Sequence, residues 1–215
     1  MASKRARGST VVSLIVLAVA AVIWWFTDDP TSADSAAPAP VTASEALTTF
    51  DSLTVAPEDT GYPYDRDDWP HWSSHGDGCN TREIALQRQG SDVVTDEKCR
   101  AVSGSWRSSY DGVVMADAGD ADLDHLVPLA EAARSGVRGW TEEQREAFAN
   151  DLDQLVVVTA RSNRQKGDQD PASWLPDEDR CGYAARWVAV KAKYSLTVDQ
   201  DERDALRAVL SHCPA

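Results

Sequence analysis

Two short stretches of this chain hold the residue types that hydrolyse phosphate esters. The first is ADLDHLVPLAEA, residues 121–132, where Asp122, Asp124 and His125 interrupt an apolar segment. Charge buried without a partner is costly, so ionisable groups in such a setting need a use or a pairing. An imidazole titrates at about pH 6.5 and suits a general base near neutrality. Neighbouring side chains on a strand point to opposite faces, so Asp124 and His125 share one site only at a bend or a strand end. Pro128, three residues on, supplies such an end. The second stretch is LVVVTARSNRQKGDQDPASWLP, residues 155–176. Asn163 offers a carbonyl oxygen to a hard cation. Arg161, Arg164 and Lys166 offer positive charge to phosphate, Arg as a planar fork and Lys as a point charge. A base, cation-holding oxygens and phosphate-holding cations are together a kit for metal-assisted phosphodiester hydrolysis.

The surrounding pattern predicts the elements that position these groups. Leu155–Thr159 is β-branched through its middle and reads as the clearest strand. Leu123–Val127 is a second short apolar segment, Leu129–Ser135 a helical turn or two ended by Gly136, and Asn163–Asp170 a polar turn or helix entry. Thr141 caps the next helix, with Glu142 and Glu143 in its first turn. Asp179–Lys193 and Asp199–His212 are the last two helices, the latter with Asp199 and Glu202 as a capping pair. Upstream, a short helix is expected over residues 44–55, another over Thr81–Gln89 closed by Gly90, and a strand or hairpin arm over Arg107–Met115. Tyr62–Gly78 is aromatic and turn-like; its His71 and His75 are four apart, but Asp, Pro and Gly crowd the stretch and favour a loop over a helical metal pair.

These residues carry a resemblance. DLDHLVPLAEA, the downstream FANDLDQLVVVTARSNRQKGDQDPASWLP and the upstream HW…GDGCNTRE block are similar to the HNH, or ββα-metal, endonuclease superfamily. More closely the chain resembles exported HNH-type proteins of actinobacteria related to the C-terminal domain of GmrSD-type restriction enzymes, over roughly residues 55–213. The resemblance implies an α+β fold: a ββα-metal core embedded in a mainly helical domain. One hairpin arm holds Asp124 and His125, the other is Leu155–Thr159, and the helix begins near Asn163. It implies His125 as general base, Asp122 as a supporting acid at the catalytic site, and Asp124 and Asn163 as ligands of one divalent ion, Mg²⁺ or else Mn²⁺. Gln154 stands where relatives often have Asn. Arg82, Arg161, Arg164 and Lys166 become the candidate contacts to substrate phosphates, and Glu83 a structural partner for Arg82. The implied function is a metal-dependent endonuclease of non-specific habit, acting on DNA in preference to RNA, as a monomer.

Composition sets limits on that function. The formal net charge of -14 opposes loose, charge-driven association with nucleic acid. The run Arg161–Lys166 is locally basic, and many acids lie elsewhere. No CxxC supports a zinc site and no GxSxG supports a serine hydrolase. Two other classes stay open: an inactive extracellular binding or structural module on the same scaffold, and a hydrolase of another phosphodiester polymer. The N-terminus places Lys4, Arg5 and Arg7 before an uncharged run of sixteen residues, Val11–Phe26. As a helix it rises about 24 Å, short of the roughly 30 Å hydrocarbon layer. Residues 1–26 therefore read as a signal peptide or a signal anchor (the second giving a transmembrane, membrane-attached protein), residues 27–43 as an Ala/Pro/Ser linker, and 44–215 as the nuclease domain with its core motif at 121–176. Either reading places the domain outside the cytoplasm. Four cysteines in that region suggest two disulfides. Three pairings are allowed, and the local one, Cys79–Cys99 with Cys181–Cys213, is expected.

Overall fold

The computed structural model describes residues 43–214. The expected signal and linker fall on residues 1–42, outside the described residues. Among the described residues no helix is long and apolar enough to cross a membrane, so the transmembrane reading finds no span in them.

The chain is a mixed α+β protein. Its helices are α1 (Ala43–Phe50), α2 (Thr81–Gln89), α3 (Leu129–Arg134), α4 (Glu142–Ala149), α5 (Ala160–Lys166), α6 (Arg180–Lys193) and α7 (Gln200–Leu210). Its strands are β1 (Ser74–Gly76), β2 (Cys79–Asn80), β3 (Ser91–Thr95), β4 (Ala101–Arg107), β5 (Val114–Met115), β6 (Ala121–His125) and β7 (Leu155–Thr159). They form three small antiparallel sheets, β1-β2, β3-β4-β5 and β6-β7.

The antiparallel β6–β7 pair lies between two apolar clusters, which explains its sequence. Val156 and Val158 belong to the larger cluster, with Phe50 of α1, Phe148 of α4, Trp187 of α6 and Leu206 of α7. Leu155 and Val157 belong to the smaller one, with Ala121 and Leu123 of β6, Leu86 of α2, and Trp106. A strand buried on both faces reads as a continuous apolar run rather than an alternation. On β6 the faces differ. Asp122 and Asp124 pair across from Val158 and Val156, and His125 pairs across from Leu155. The carboxylates therefore share one face and His125 takes the other.

Capping follows the sequence closely. Thr141 and Gln144 form a reciprocal capping box at α4, Asn80 caps α2, and Asp199 accepts the Glu202 amide at α7. The expected Asp199–Glu202 pair is only half realised, because the Glu202 side chain turns inward to Trp187 and Lys191. α1 stops at Phe50, short of the expected residue 55. The β3–β4 hairpin has little signature in the sequence: its outer residues Val94 and Val102 are exposed and its alternation is weak. Trp106 of β4 anchors it, fully buried and donating from Nε1 to Leu86 O at 2.8 Å. A Cβ at Gly90 would lie 2.5 Å from Trp106 Nε1 and one at Gly104 2.7 Å from its ring, so the indole needs both glycines. Both cysteine pairs are local, Cys79–Cys99 and Cys181–Cys213. The first clamps the loop before β4 to the start of α2, and the second ties the C-terminal end to the start of α6.

Candidate active site

β7 runs without a loop into α5. The Thr159 side chain accepts the Ser162 amide at 3.2 Å and so starts the helix as the strand ends. α5 then folds back along β6. Asn163 Nδ2 donates to Asp122 Oδ2 at 3.0 Å, and Lys166 Nζ lies 2.8 Å from Asp124 Oδ2. Residues three apart on one helix face thus meet residues two apart on one strand face.

Asp124 is buried. Its Oδ2 takes both the Lys166 ammonium and the Tyr110 hydroxyl, the latter at 2.7 Å. Burial pushes the carboxyl above its ordinary range, opposed by Lys166 and Tyr110. Lys166 has no exposed surface; burial lowers its ammonium against the pull of Asp124, and Nζ also donates to His125 O at 2.9 Å. Oδ1 of Asp124 takes no hydrogen bond among the described residues. Asn163 is oriented by its bond to Asp122: with Nδ2 given to a carboxylate, its Oδ1 remains as an acceptor.

His125 ends β6. Its Nε2 lies 2.8 Å from Ala149 O at the end of α4. A carbonyl oxygen only accepts, so Nε2 carries the proton and Nδ1 keeps its lone pair. Among the described residues the buried side-chain atoms sealed without a partner are Gln154 Oε1 and Tyr183 Oη. Nδ1 is not one of them and so keeps some exposed surface. Trp72 stacks on the ring at 5.6 Å between centroids and 11° between planes. Burial first, then the charges of Arg66 and Lys166, push the imidazole down to about 3, with the Ala149 bond opposing. The ring is therefore neutral at physiological pH, with its lone pair at Nδ1.

The cleft holds about 310 Å³ and is lined by His125, Asp124 and Asn163, together with Arg164, Arg66, Tyr64 and Asp168. Adjacent side chains on opposite faces of a strand meet in one cleft because the strand ends there. Asp122 sits behind it, holding Asn163. Arg161 is exposed and lies outside the lining. Two expected phosphate contacts are corrected. Arg82 donates to Ala118 O and Ala121 O and pairs with Glu83, so it braces the turn before β6 and does not line the cleft. Lys166 is sealed beneath the cleft and paired with Asp124. Residues that the sequence reading missed are Tyr64, Arg66 and Trp72, on the strap before β1. The signal was present: Arg66 is the lone Lys or Arg between Tyr62 and Cys79, in a stretch with four acids.

A second acidic group lies outside the lining. One carboxylate oxygen each from Glu58, Asp170 and Asp199 falls within 4.8 Å of the others, an arrangement able to coordinate a metal ion. The three also have structural partners: Glu58 pairs with Arg134, Asp170 accepts the Ala172 and Ser173 amides, and Asp199 caps α7.

The profile of the family described as GmrSD restriction endonucleases, C-terminal domain, matches residues 81–209. A protein of Arthroderma benhamiae described as an "Uncharacterized secreted protein" is 44% identical over 189 residues, covering 83% of this chain and 93% of the relative. That description agrees with the extracellular localisation expected from the sequence, as do two disulfides. No solved structure matches the chain. With 129 residues spanned from the start of α2 into α7, the chain belongs to the family of the GmrSD restriction endonuclease C-terminal domain.

Proposed function

We propose that this protein is a secreted, metal-dependent endonuclease that hydrolyses phosphodiester bonds, and that β6, β7 and α5 form its ββα-metal unit. The observation that carries the reading is the Nε2 bond of His125 to Ala149 O, which fixes the tautomer and leaves Nδ1 as the basic nitrogen in the cleft. His125 takes a proton from water at Nδ1. The water oxygen attacks phosphorus in line with the leaving 3′ oxygen, which takes its proton from solvent. A phosphate anion in the cleft favours the protonated ring and so raises the basicity of an imidazole that burial has lowered. Asp122 fixes the Asn163 amide, and Lys166 and Tyr110 fix Asp124.

Asp124 Oδ1 and Asn163 Oδ1 fit a hard divalent cation. Each is the oxygen that its own hydrogen bonds leave over, and two protein oxygens with water and phosphate suit Mg²⁺ or Mn²⁺. When bound, such an ion neutralises charge on the scissile phosphate and the departing oxygen. DNA is the favoured substrate and RNA the second.

The test is cleavage of duplex DNA, single-stranded DNA and RNA by the purified, disulfide-intact protein, with Mg²⁺, Mn²⁺ or EDTA. Cleavage is expected to need the ion and to fall about 10²–10⁴-fold in His125→Ala. Folded protein that cuts none of these with either metal would overturn the assignment.

A further inference from the structure

The cleft has a wall that the matched family segment does not contain. Residues 62–73 precede position 81, where the match begins, yet they bring Tyr64 and Arg66 into the lining. We infer that Arg66 is a phosphate-binding residue, forming with Arg164 a pair of guanidinium groups that holds the anionic backbone of the substrate strand. The inference rests on reading the cleft as a phosphodiester site.

Charge is the first argument. Acids outnumber bases 35 to 21 in this chain, and half of the eight exposed arginines among the described residues carry a carboxylate: Arg100 has Asp96, Arg107 has Glu178, Arg138 has Asp59 and Arg207 has Asp51. Arg66 and Arg164 are exposed, and among the described residues neither makes an ion pair. The one carboxylate that lines the same cleft near the surface, Asp168, is 2.9 Å from Arg134. Arg66 meets instead a neutral acceptor. His71 Nδ1 donates to Trp69 O at 2.9 Å, so its Nε2 accepts from Arg66 Nη2 at 3.4 Å and cancels none of the charge. An unpaired guanidinium presents a planar fork of donors that matches phosphate oxygens.

Placement is the second. Arg66 begins a one-turn 3-10 helix, Arg66–Asp68, capped by Asp65. Three residues on, Trp69 is buried against Phe148 and Trp140. Arg145 Nε bonds Asp68 O at 2.8 Å and Asn150 Nδ2 bonds Pro70 O at 2.9 Å. The backbone under Arg66 is thus held before any ligand arrives, which lowers the ordering cost of binding.

The probe is binding without turnover. In the full-length protein carrying His125→Ala, the affinity for a fluorescein-labelled DNA strand is measured by anisotropy across a salt series, with Arg66 intact, as Arg66→Ala and as Arg66→Lys. Poly(glycerol phosphate) serves as competitor, to separate nucleic acid from other phosphodiester polymers. Arg66→Ala is expected to weaken binding about 10-fold and to reduce the salt slope by about one, and Arg66→Lys to restore the slope. Unchanged affinity and slope in Arg66→Ala, at an unchanged melting temperature, overturns the inference, as does the absence of binding by either polymer. The outcome is separable from the nuclease reading. Protein that binds through Arg66 yet never cuts keeps this inference and loses the other. Protein that cuts with the same KM in Arg66→Ala does the reverse.

Discussion

An ammonium with no exposed surface survives in a protein only beside a negative partner, and Lys166 has Asp124 at 2.8 Å. Neither group can be removed alone without leaving the other charged and buried. Lys166→Met is therefore expected to destabilise the fold by about 3–5 kcal/mol, while Arg164→Ala, a change at an exposed side chain without an ion pair, stays within about 0.5 kcal/mol. Urea midpoints of the two variants check this, and equal midpoints would show that the ion pair contributes nothing. Residue types alone made part of this site legible. Carboxylate, histidine and asparagine oxygens are the groups that such chemistry needs, and Asp124, His125 and Asn163 do meet in one cleft. The depth of Lys166 was not legible, because a lysine inside SNRQKG reads as a solvated charge. Its spacing of three from Asn163 puts both on the α5 face turned to β6, and only the fold reveals which face that is.

At the scale of elements, the end of α4 does two jobs at once. Ala149 O accepts a hydrogen bond from His125 Nε2, and the next residue, Asn150, holds the strap: its Oδ1 accepts from Ser73 N at 2.8 Å and Thr81 Oγ1 at 2.7 Å, and its Nδ2 reaches Pro70 O. One helix terminus therefore sets the position of the base and of the segment that stacks Trp72 on it. Trp72 itself sits at a φ of 60°, a conformation that bulky residues rarely adopt and that its surroundings must enforce. In Asn150→Ala the strap loses its tie. Amide exchange over residues 64–75 is expected to accelerate while α6 and α7 keep their protection. KM is expected to rise as Arg66 loosens and kcat to fall as the ring loses Trp72. Unchanged exchange in the strap would show that Asn150 holds nothing there. Helices and their caps were legible in the sequence because their signals are local, as with Thr141 and Gln144. The strap was not. It has no periodicity, and its shape comes from a residue 77–80 positions away in sequence, through the bonds of Asn150 to Ser73 and to Pro70.

At the scale of the whole molecule, a buried charge cluster ties three helices together, and Arg134 links its Glu131 to Asp168 of the cleft lining. Lys191 of α6 has no exposed surface and lies between Glu131 of α3, at 2.7 Å, and Glu202 of α7, at 3.1 Å. Its partners differ. Burial raises Glu131, but Lys191, Ser135 and Arg134 outweigh it, and the carboxyl ends below its ordinary value. For Glu202 burial wins over Lys191 and Trp187, and the carboxyl is pushed up to about 7 from 4.5. The two act on stability in opposite directions. Glu131 contributes above pH 4.5 and its share is lost as pH falls through its lowered folded value. Glu202 contributes fully below pH 4.5 and its share is lost as pH rises through about 7. Between those limits the folded state holds the extra proton, so stability is expected to fall with rising pH by at most about 1.4 kcal/mol per unit from this group. The net charge of -14 adds self-repulsion over the same range, so wild type alone cannot isolate the effect. Glu202→Gln removes the proton and leaves the rest of the charge pattern. Urea unfolding at intervals from pH 5 to 8 should give a wild-type curve that descends relative to the variant and levels above pH 7. Parallel curves would mean that Glu202 is ionised throughout, and that Lys191 holds two carboxylates rather than one.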